Sequence, residues 1–304
     1  MNLTALAWKW VPRLPDGLAR ALFTLGADLA CVRPGKGVRQ LEANLRRVRP
    51  ELAPRALRRL TREAMRRYLR YYCEAFQVAN WPKERVTAMV RMGDEQRVRS
   101  EIGEAPRLVL ALGHMGNWDL AGAWATDHLA PITTVAEHLR PEEVFQDFLA
   151  MRRRIGLNII PLERGQSVFR QLLRVTQEAT KAGEPWAVPL LADRELGRGG
   201  VEVDFFGEKA LMAPGPAALA LASDRPLYAV AMYRDGPGYA LEFSAPIAPP
   251  PGLPKAEQVA AMTQAWAGFL EGAIRRHPAD WHMLAKVFVA DLDPERLAQV
   301  RGGA

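Results

Sequence analysis

The sequence predicts an α/β fold, a mixed central sheet flanked by helices on both faces, preceded by a basic helical segment. Three observations carry this expectation. From residue 107 onward short apolar runs alternate with longer stretches of helical periodicity, the pattern of strand–helix–strand units. Sixteen of the 41 Lys and Arg but only six of the 34 Asp and Glu lie in residues 1–80, so the positive excess is confined to the N-terminal quarter. The 304 residues are 49% apolar and 25% charged, an ordinary globular balance that excludes a disordered chain and can fill a sizeable core.

Each element follows in order. In residues 1–80 the apolar residues Leu57, Leu60, Ala64, Tyr68, Tyr72 and Phe76 recur every three or four positions. Arg55, Arg58, Arg59, Arg62, Arg66 and Arg70 recur on another face. This is an amphipathic helix, suited either to a headgroup layer with its apolar side sunk below, or to packing on the main domain with a solvated arginine face. The first segment, with Leu3, Leu6, Trp8 and Trp10, favours the membrane interface. Strands are expected at Arg107–Leu112, Ile132–Ala136, Asn158–Leu162, Trp186–Ala192, Val201–Phe206, Leu227–Tyr233 and Tyr239–Ile247. Helices are expected at Asn117–Leu129, Pro141–Ile155, Ser167–Lys181, Pro216–Ser223 and Lys255–Arg276. Gly207-Glu208-Lys209 signals a hairpin. With no repeat and no clear linker, residues 1–304 read as a single domain, with a membrane-associating segment at 1–80 and a catalytic α/β core at 100–290.

No apolar run approaches the ~18 residues of a membrane span, and residues 1–12 do not continue into a signal-peptide pattern, so a cytoplasmic protein able to touch a membrane is expected. Cys31 and Cys73 have neither metal-ligand nor disulfide spacing and read as packed thiols in a reducing compartment. No His/Cys/Asp set has zinc spacing, and no phosphate-binding glycine loop follows a strand.

The chemistry concentrates at Gly113-His114-Met115-Gly116-Asn117-Trp118-Asp119. His114 falls at the carboxyl end of a strand, on the turn into a helix, where ligands bind in open α/β sheets. Gly113 and Gly116 allow close backbone approach, and Asn117 is a helix N-cap. The helix start would hold an oxyanion or phosphate beside the histidine. Asp119, in the first helical turn, is expected to reach back to His114, fix its tautomer and stabilise the imidazolium, so that His114 takes a proton from an attacking hydroxyl. Alone, a His and an Asp five residues apart are a weak pattern, and a capping Asp near a structural His fits it too. Arg152, Arg153, Arg154, Arg164, Arg194 and Arg198 are candidate phosphate partners; Arg152–Arg154 also suit a solvated helix end, and Arg194 a local ion pair with Asp193 or Glu195. His128 and His138 read as structural, and His277 and His282 as packing or as the rim of an acceptor site.

This block resembles the H-x-x-x-x-D motif of glycerolipid-type acyltransferases, and within them the lipid A lauroyl/myristoyl acyltransferase family. It is most similar to the actinobacterial branch acting on phosphatidylinositol mannosides. The resemblance extends through Gln40–Val48, Tyr68–Phe76, Thr133–Pro141, Val203–Gly207 with Pro214-Gly-Pro216, and His277–Leu284, nearly the whole chain. It implies a glycerolipid acyltransferase-like fold. It also implies transfer of a long acyl chain, usually palmitoyl, from acyl-CoA to a sugar hydroxyl of a phosphatidylinositol mannoside, at the cytoplasmic face of the membrane. Neither metal nor bound cofactor is implied, acyl-CoA being a substrate. The expected partners are acyl-CoA, the glycolipid and an anionic membrane surface, with no nucleic acid. His114 is then the general base and Asp119 orients it. The family's second acidic position falls on Asp193, where that branch carries Glu, so either Asp193 or neighbouring Glu195 supports His114. Glu137 and Arg152 match positions near acceptor and CoA. The alternatives are another acceptor, a lipid A-like sugar or lysophosphatidate, and a non-enzymatic protein binding lipid or nucleic acid through the arginine helix.

Overall fold

The structure is a computed structural model that describes residues 3–138, 140–162, 167–195, 199–294 and 297, with side chains from residue 7 onward. Among the described residues, six α-helices and one short strand precede Arg107. They are α1 (Leu3–Trp10), α2 (Asp16–Val32), α3 (Lys36–Val48), α4 (Pro54–Val78), α5 (Lys83–Met89), β1 (Val90–Met92) and α6 (Glu95–Ile102). Strands and helices then alternate: β2 (Arg107–Leu112), α7 (Trp118–His128), β3 (Thr133–Glu137), α8 (Glu142–Arg154), β4 (Asn158–Leu162), α9 (Val168–Lys181) and β5 (Trp186–Leu191). The rest comprises β6 (Val201–Phe205), β7 (Glu208–Met212), α10 (Gly215–Ser223), β8 (Leu227–Asp235), β9 (Gly238–Phe243) and α11 (Lys255–Arg276).

The predicted mixed sheet is present. Its order is β1-β9-β8-β2-β5, with β8 and β9 antiparallel and the other neighbours parallel. The parallel pair β3–β4 joins the β5 edge through a bridge between Ile132 and Ala187, while β6 and β7 form the predicted hairpin. β2 and β5 are nearly continuous apolar runs because both faces of the sheet are covered. One face packs against α10 and α11 through Trp266, Leu219 and Ile274, the other against α7 and α8 through Leu120, Trp124 and Phe148. β1 and α6 were not predicted: three residues carry too little alternation, and α6 is mostly polar with one buried side chain, Val98.

The helical character of residues 57–76 is as predicted, but the placement of the apolar face in a headgroup layer is corrected. Leu57, Ala64 and Phe76 are buried against protein, α4 packing on α3 and the core. Several of its arginines are consumed by ion pairs: Arg62 and Arg66 with Asp28, Arg67 with Asp280, and Arg70 with Glu74. Trp8 is likewise packed edge-on against Phe76 and Phe148, and the side chains of Leu3 and Leu6 lie outside the described residues. The outward apolar face belongs to α2, where Leu18, Leu22, Leu25, Leu29 and Val32 are 49–77% exposed, joined by Trp10 from α1. No helix among the described residues is long and apolar enough to cross a membrane.

Candidate active site

Parallel register builds the centre of the site. Leu112 of β2 pairs with Leu191 of β5. His114 and Asp193, each two residues beyond, therefore emerge side by side at the carboxyl edge. His114 Nδ1 lies 2.5 Å from Asp193 Oδ1, and the His114 backbone N–H donates to Asp193 Oδ2 at 2.9 Å. The Trp281 indole N–H donates to the same Oδ2, also at 2.9 Å. Asp193 and Trp281 are fully buried, whereas the His114 side chain keeps 20% of its surface exposed. Burial by itself would raise the Asp193 carboxyl. Electrostatic attraction to the facing His114 ring and the three donated hydrogen bonds outweigh it and hold Asp193 below its ordinary value. An ionised Asp193 accepts from Nδ1–H, which leaves the lone pair on Nε2, and Nε2 has no partner among the described residues.

Two glycines permit this geometry. A Cβ on Gly113 would sit 2.8 Å from Leu270 and 3.2 Å from Asp193 Oδ2, so a side chain there would push the dyad apart. Gly116 has φ +67° and its Cβ would come within 2.5 Å of the Met232 carbonyl. Asn117 caps α7 as predicted, its Oδ1 accepting from the Leu120 N–H at 3.0 Å. Its amide donates to Glu74 Oε2 at 2.8 Å, where Tyr239 also donates, and Arg70 donates to the other oxygen. The turn is further fixed by the C-terminal loop. Met115 bridges Trp281, the Gly116 N–H donates to the Asp280 carbonyl and the His282 N–H to the His114 carbonyl.

The expected contact of Asp119 with His114 is corrected. Asp119 is buried and turns under α4. The Tyr71 hydroxyl donates to Oδ2 at 2.8 Å, and Arg152 donates to Oδ1 at 2.7 Å and Oδ2 at 3.3 Å. Both of its oxygens are taken by Tyr71 and Arg152, and His114 is paired by Asp193 instead. Arg152 is correspondingly corrected as a free phosphate partner. Desolvation disfavours its charge, but Asp119 and Tyr71 more than compensate and raise its pKa. Burial pushes the Tyr71 hydroxyl well above its ordinary value.

A pocket of about 430 Å³ opens at His114 and runs along α4, α7, β3 and α8. Tyr68, Tyr72, Trp118, Phe148, Leu157 and Leu162 give it apolar walls. Glu137 and Arg194 lie on the lining as a 3.0 Å ion pair, so Arg194 pairs with Glu137 and not with Asp193. The carboxylate held on His114 Nδ1 is that of Asp193, while the Cγ of Glu195 lies beside Gly200. Arg153 is exposed and Arg154 binds the Ala79 carbonyl and Asn80 at the end of α4. Arg164 and Arg198 lie outside the described residues. Among the histidines, His128 meets Thr87, His138 meets Glu142, and His277 stacks on Tyr233. His282 is buried and lines the pocket. Desolvation lowers its pKa to about 3, so it is neutral and donates from Nε2 to the Gly116 carbonyl at 3.0 Å.

Sequence reasoning gave no role to Trp281, Tyr71 or Glu74. Their blocks, His277–Leu284 and Tyr68–Phe76, carry the family resemblance, but which side chains turn toward residues 114–119 is decided by tertiary packing alone.

Residues 1–289 match the model of a family described as bacterial lipid A biosynthesis acyltransferases. The chain is 35% identical over 296 residues to the phosphatidylinositol mannoside acyltransferase of Mycolicibacterium smegmatis, covering 97% of this chain and 93% of that protein. It is 35% identical over 302 residues to the enzyme of the same name from Mycobacterium tuberculosis, covering 98% and 91%. With a family match over nearly its full length and relatives of this identity, the chain belongs to the bacterial lipid A biosynthesis acyltransferase family.

Proposed function

We propose that the protein transfers a long-chain acyl group, palmitoyl, from acyl-CoA to a mannose hydroxyl of a phosphatidylinositol mannoside, working peripherally at the cytoplasmic face of the membrane. The names of the relatives support the acceptor class. The observation that carries the chemistry is a histidine oriented by a buried carboxylate, its free Nε2 at the mouth of a mostly apolar pocket. A thioester is already activated, so a base and correct positioning suffice, each contributing orders of magnitude in rate. His114 Nε2 takes the proton of the acceptor hydroxyl as its oxygen attacks the thioester carbonyl. Asp193 stabilises the resulting imidazolium. The tetrahedral intermediate collapses, the C–S bond breaks, and the imidazolium returns its proton to the departing CoA sulfur.

Glu137 and Arg194, which line the pocket, are assigned to its acceptor side, with Glu195 next to Arg194 in the chain, and Arg152 to holding Asp119 and Tyr71 in the pocket wall. The exposed leucine face of α2 supports the membrane placement, since a patch of this kind on a protein surface marks an interaction site. The test is transfer of labelled palmitoyl from palmitoyl-CoA to purified phosphatidylinositol dimannoside by wild type and His114→Ala. Acylated product with wild type and none with the variant is expected. Thioester hydrolysis without transfer, still requiring His114, would leave the reaction class standing and remove the acceptor.

A further inference from the structure

The outward face of α2 has a companion feature on its flank. Leu18, Leu22, Leu25, Leu29 and Val32 are spaced by four and three residues and share one side of the helix, while Ala19 and Ala27 pack inward on the other. On the side turned toward α4 and the end of β8, a cavity of about 260 Å³ is lined by Arg20, Arg66, Arg67, Arg70 and Arg234, with Glu63 the one acidic residue in its wall. The carboxylates behind these arginines are shared. Asp16 serves Arg20 and Arg85, Asp28 serves Arg62 and Arg66, and Asp280 and Glu74 serve Arg67 and Arg70. Seven guanidinium groups therefore meet five carboxylates around this cavity, an excess of two positive charges. Arg234 has no carboxylate in an ion pair with it among the described residues: its Nη1 is buried with no hydrogen-bond partner, its Nη2 has a long 3.4 Å bond to the Pro237 carbonyl, and its guanidinium lies 5.8 Å from the centre of the Tyr239 ring.

An apolar stripe and a cavity with surplus, partly unpartnered guanidinium groups thus lie on one helix. Arginine forks match phosphate oxygens bidentately. A helix lying in a bilayer interface sinks its apolar face about 5–10 Å, which leaves its flanks at headgroup depth. We infer, building on the membrane-surface placement proposed above, that this cavity binds the phosphate of an anionic phospholipid headgroup while the α2 leucines enter the acyl layer below it. A second copy of the chain is the other occupant the stripe would suit. A two-fold contact, however, would bring two cavities of like charge toward each other, whereas an anionic bilayer offers the opposite charge.

The test uses the full chain and sedimentation with vesicles of phosphatidylcholine alone or mixed with phosphatidylglycerol. Wild type binds the mixed vesicles more tightly. Arg20→Gln combined with Arg234→Gln cuts that preference about tenfold or more and leaves binding to phosphatidylcholine unchanged. The control pair Arg58→Gln with Arg59→Gln, the same charge removed from the exposed end of α4, cuts it less. Leu22→Ser with Leu25→Ser abolishes binding to both vesicles without lowering the melting temperature. An equal loss from the control pair, or no loss from the cavity pair, overturns the headgroup site while the membrane placement stands. Inorganic phosphate binding that needs Arg20 and Arg234, with vesicle binding unaffected by them, makes the cavity a site for free phosphate and overturns the proposal. A dimer in sedimentation analysis that dissociates on Leu22→Ser with Leu25→Ser, with vesicle binding intact, assigns the stripe to a second copy and also overturns it. Wild type that binds no vesicle removes the membrane placement together with the site.

Discussion

Replacing Trp281 by Phe removes one N–H while keeping an aromatic ring against Phe205 and Phe206. That N–H is one of two donors on Asp193 Oδ2, the other being the His114 backbone, and together they aim Oδ1 at the imidazole. A hydrogen bond to a charged acceptor contributes about 1.5–3 kcal/mol, and about 1.4 kcal/mol is a factor of ten in rate. Because the backbone donor remains, the lower end applies, and kcat should fall about tenfold with KM little changed, since Trp281 acts through Asp193 and not on the substrate. The assay is steady-state palmitoyl transfer by wild type, Trp281→Phe, Asp193→Ala and the double variant, beside urea unfolding of each. In an Asp193→Ala background the tryptophan has no carboxylate to position, so its replacement should cost almost nothing further in kcat. If the tenfold loss persists in that background, or appears in KM instead of kcat, Trp281 acts through general packing and the positioning role is wrong.

Other consequences are equally specific. Asp119→Asn removes the charge facing buried Arg152 and should destabilise the protein by about 3–5 kcal/mol in urea unfolding; adding Arg152→Met should recover much of that loss, and a purely additive result would refute a coupled pair. His282 has a folded-state pKa of about 3 against an ordinary 6.5, so between these values the unfolded chain binds a proton that the folded chain excludes. Stability present above pH 6.5 is lost as pH falls toward 3, by up to about 5 kcal/mol at roughly 1.4 kcal/mol per unit. Unfolding measured across that range should show the slope, and His282→Gln should flatten it by about one proton's worth even where its overall stability is lower.

The strand ending at Leu112, the turn carrying His114 and the Asn117 cap were legible because they are local: an apolar run, two glycines and a capping residue in sequence. The partner of His114 was not legible from spacing, since Asp193 lies 79 residues away and arrives through the β2–β5 register. Only resemblance pointed to it. The five-residue offset to Asp119 fixed proximity along the chain but not direction, and Tyr71 and Arg152, on two other helices, decided where that carboxylate points. For α4, periodicity gave a helix and its buried face correctly, but the same stripe serves protein core or membrane equally well. The exposed face of α2 was hidden for the opposite reason. Its other side is also apolar, with Ala19, Phe23 and Ala27, so the helix shows little contrast until one knows which side the body covers.

The loop at Asp280–His282 ties together the turn that holds His114, by a bridge, two backbone hydrogen bonds and the indole contact to Asp193. The turn and its clasp are separated by roughly half the chain, so during synthesis His114 emerges long before anything fixes its direction. A nascent chain, or one clipped before residue 280, carries His114 and Asp193 but lacks the brace that aligns them. The aligned His114–Asp193 pair is thus acquired late, once the 280–282 loop closes over the sheet edge.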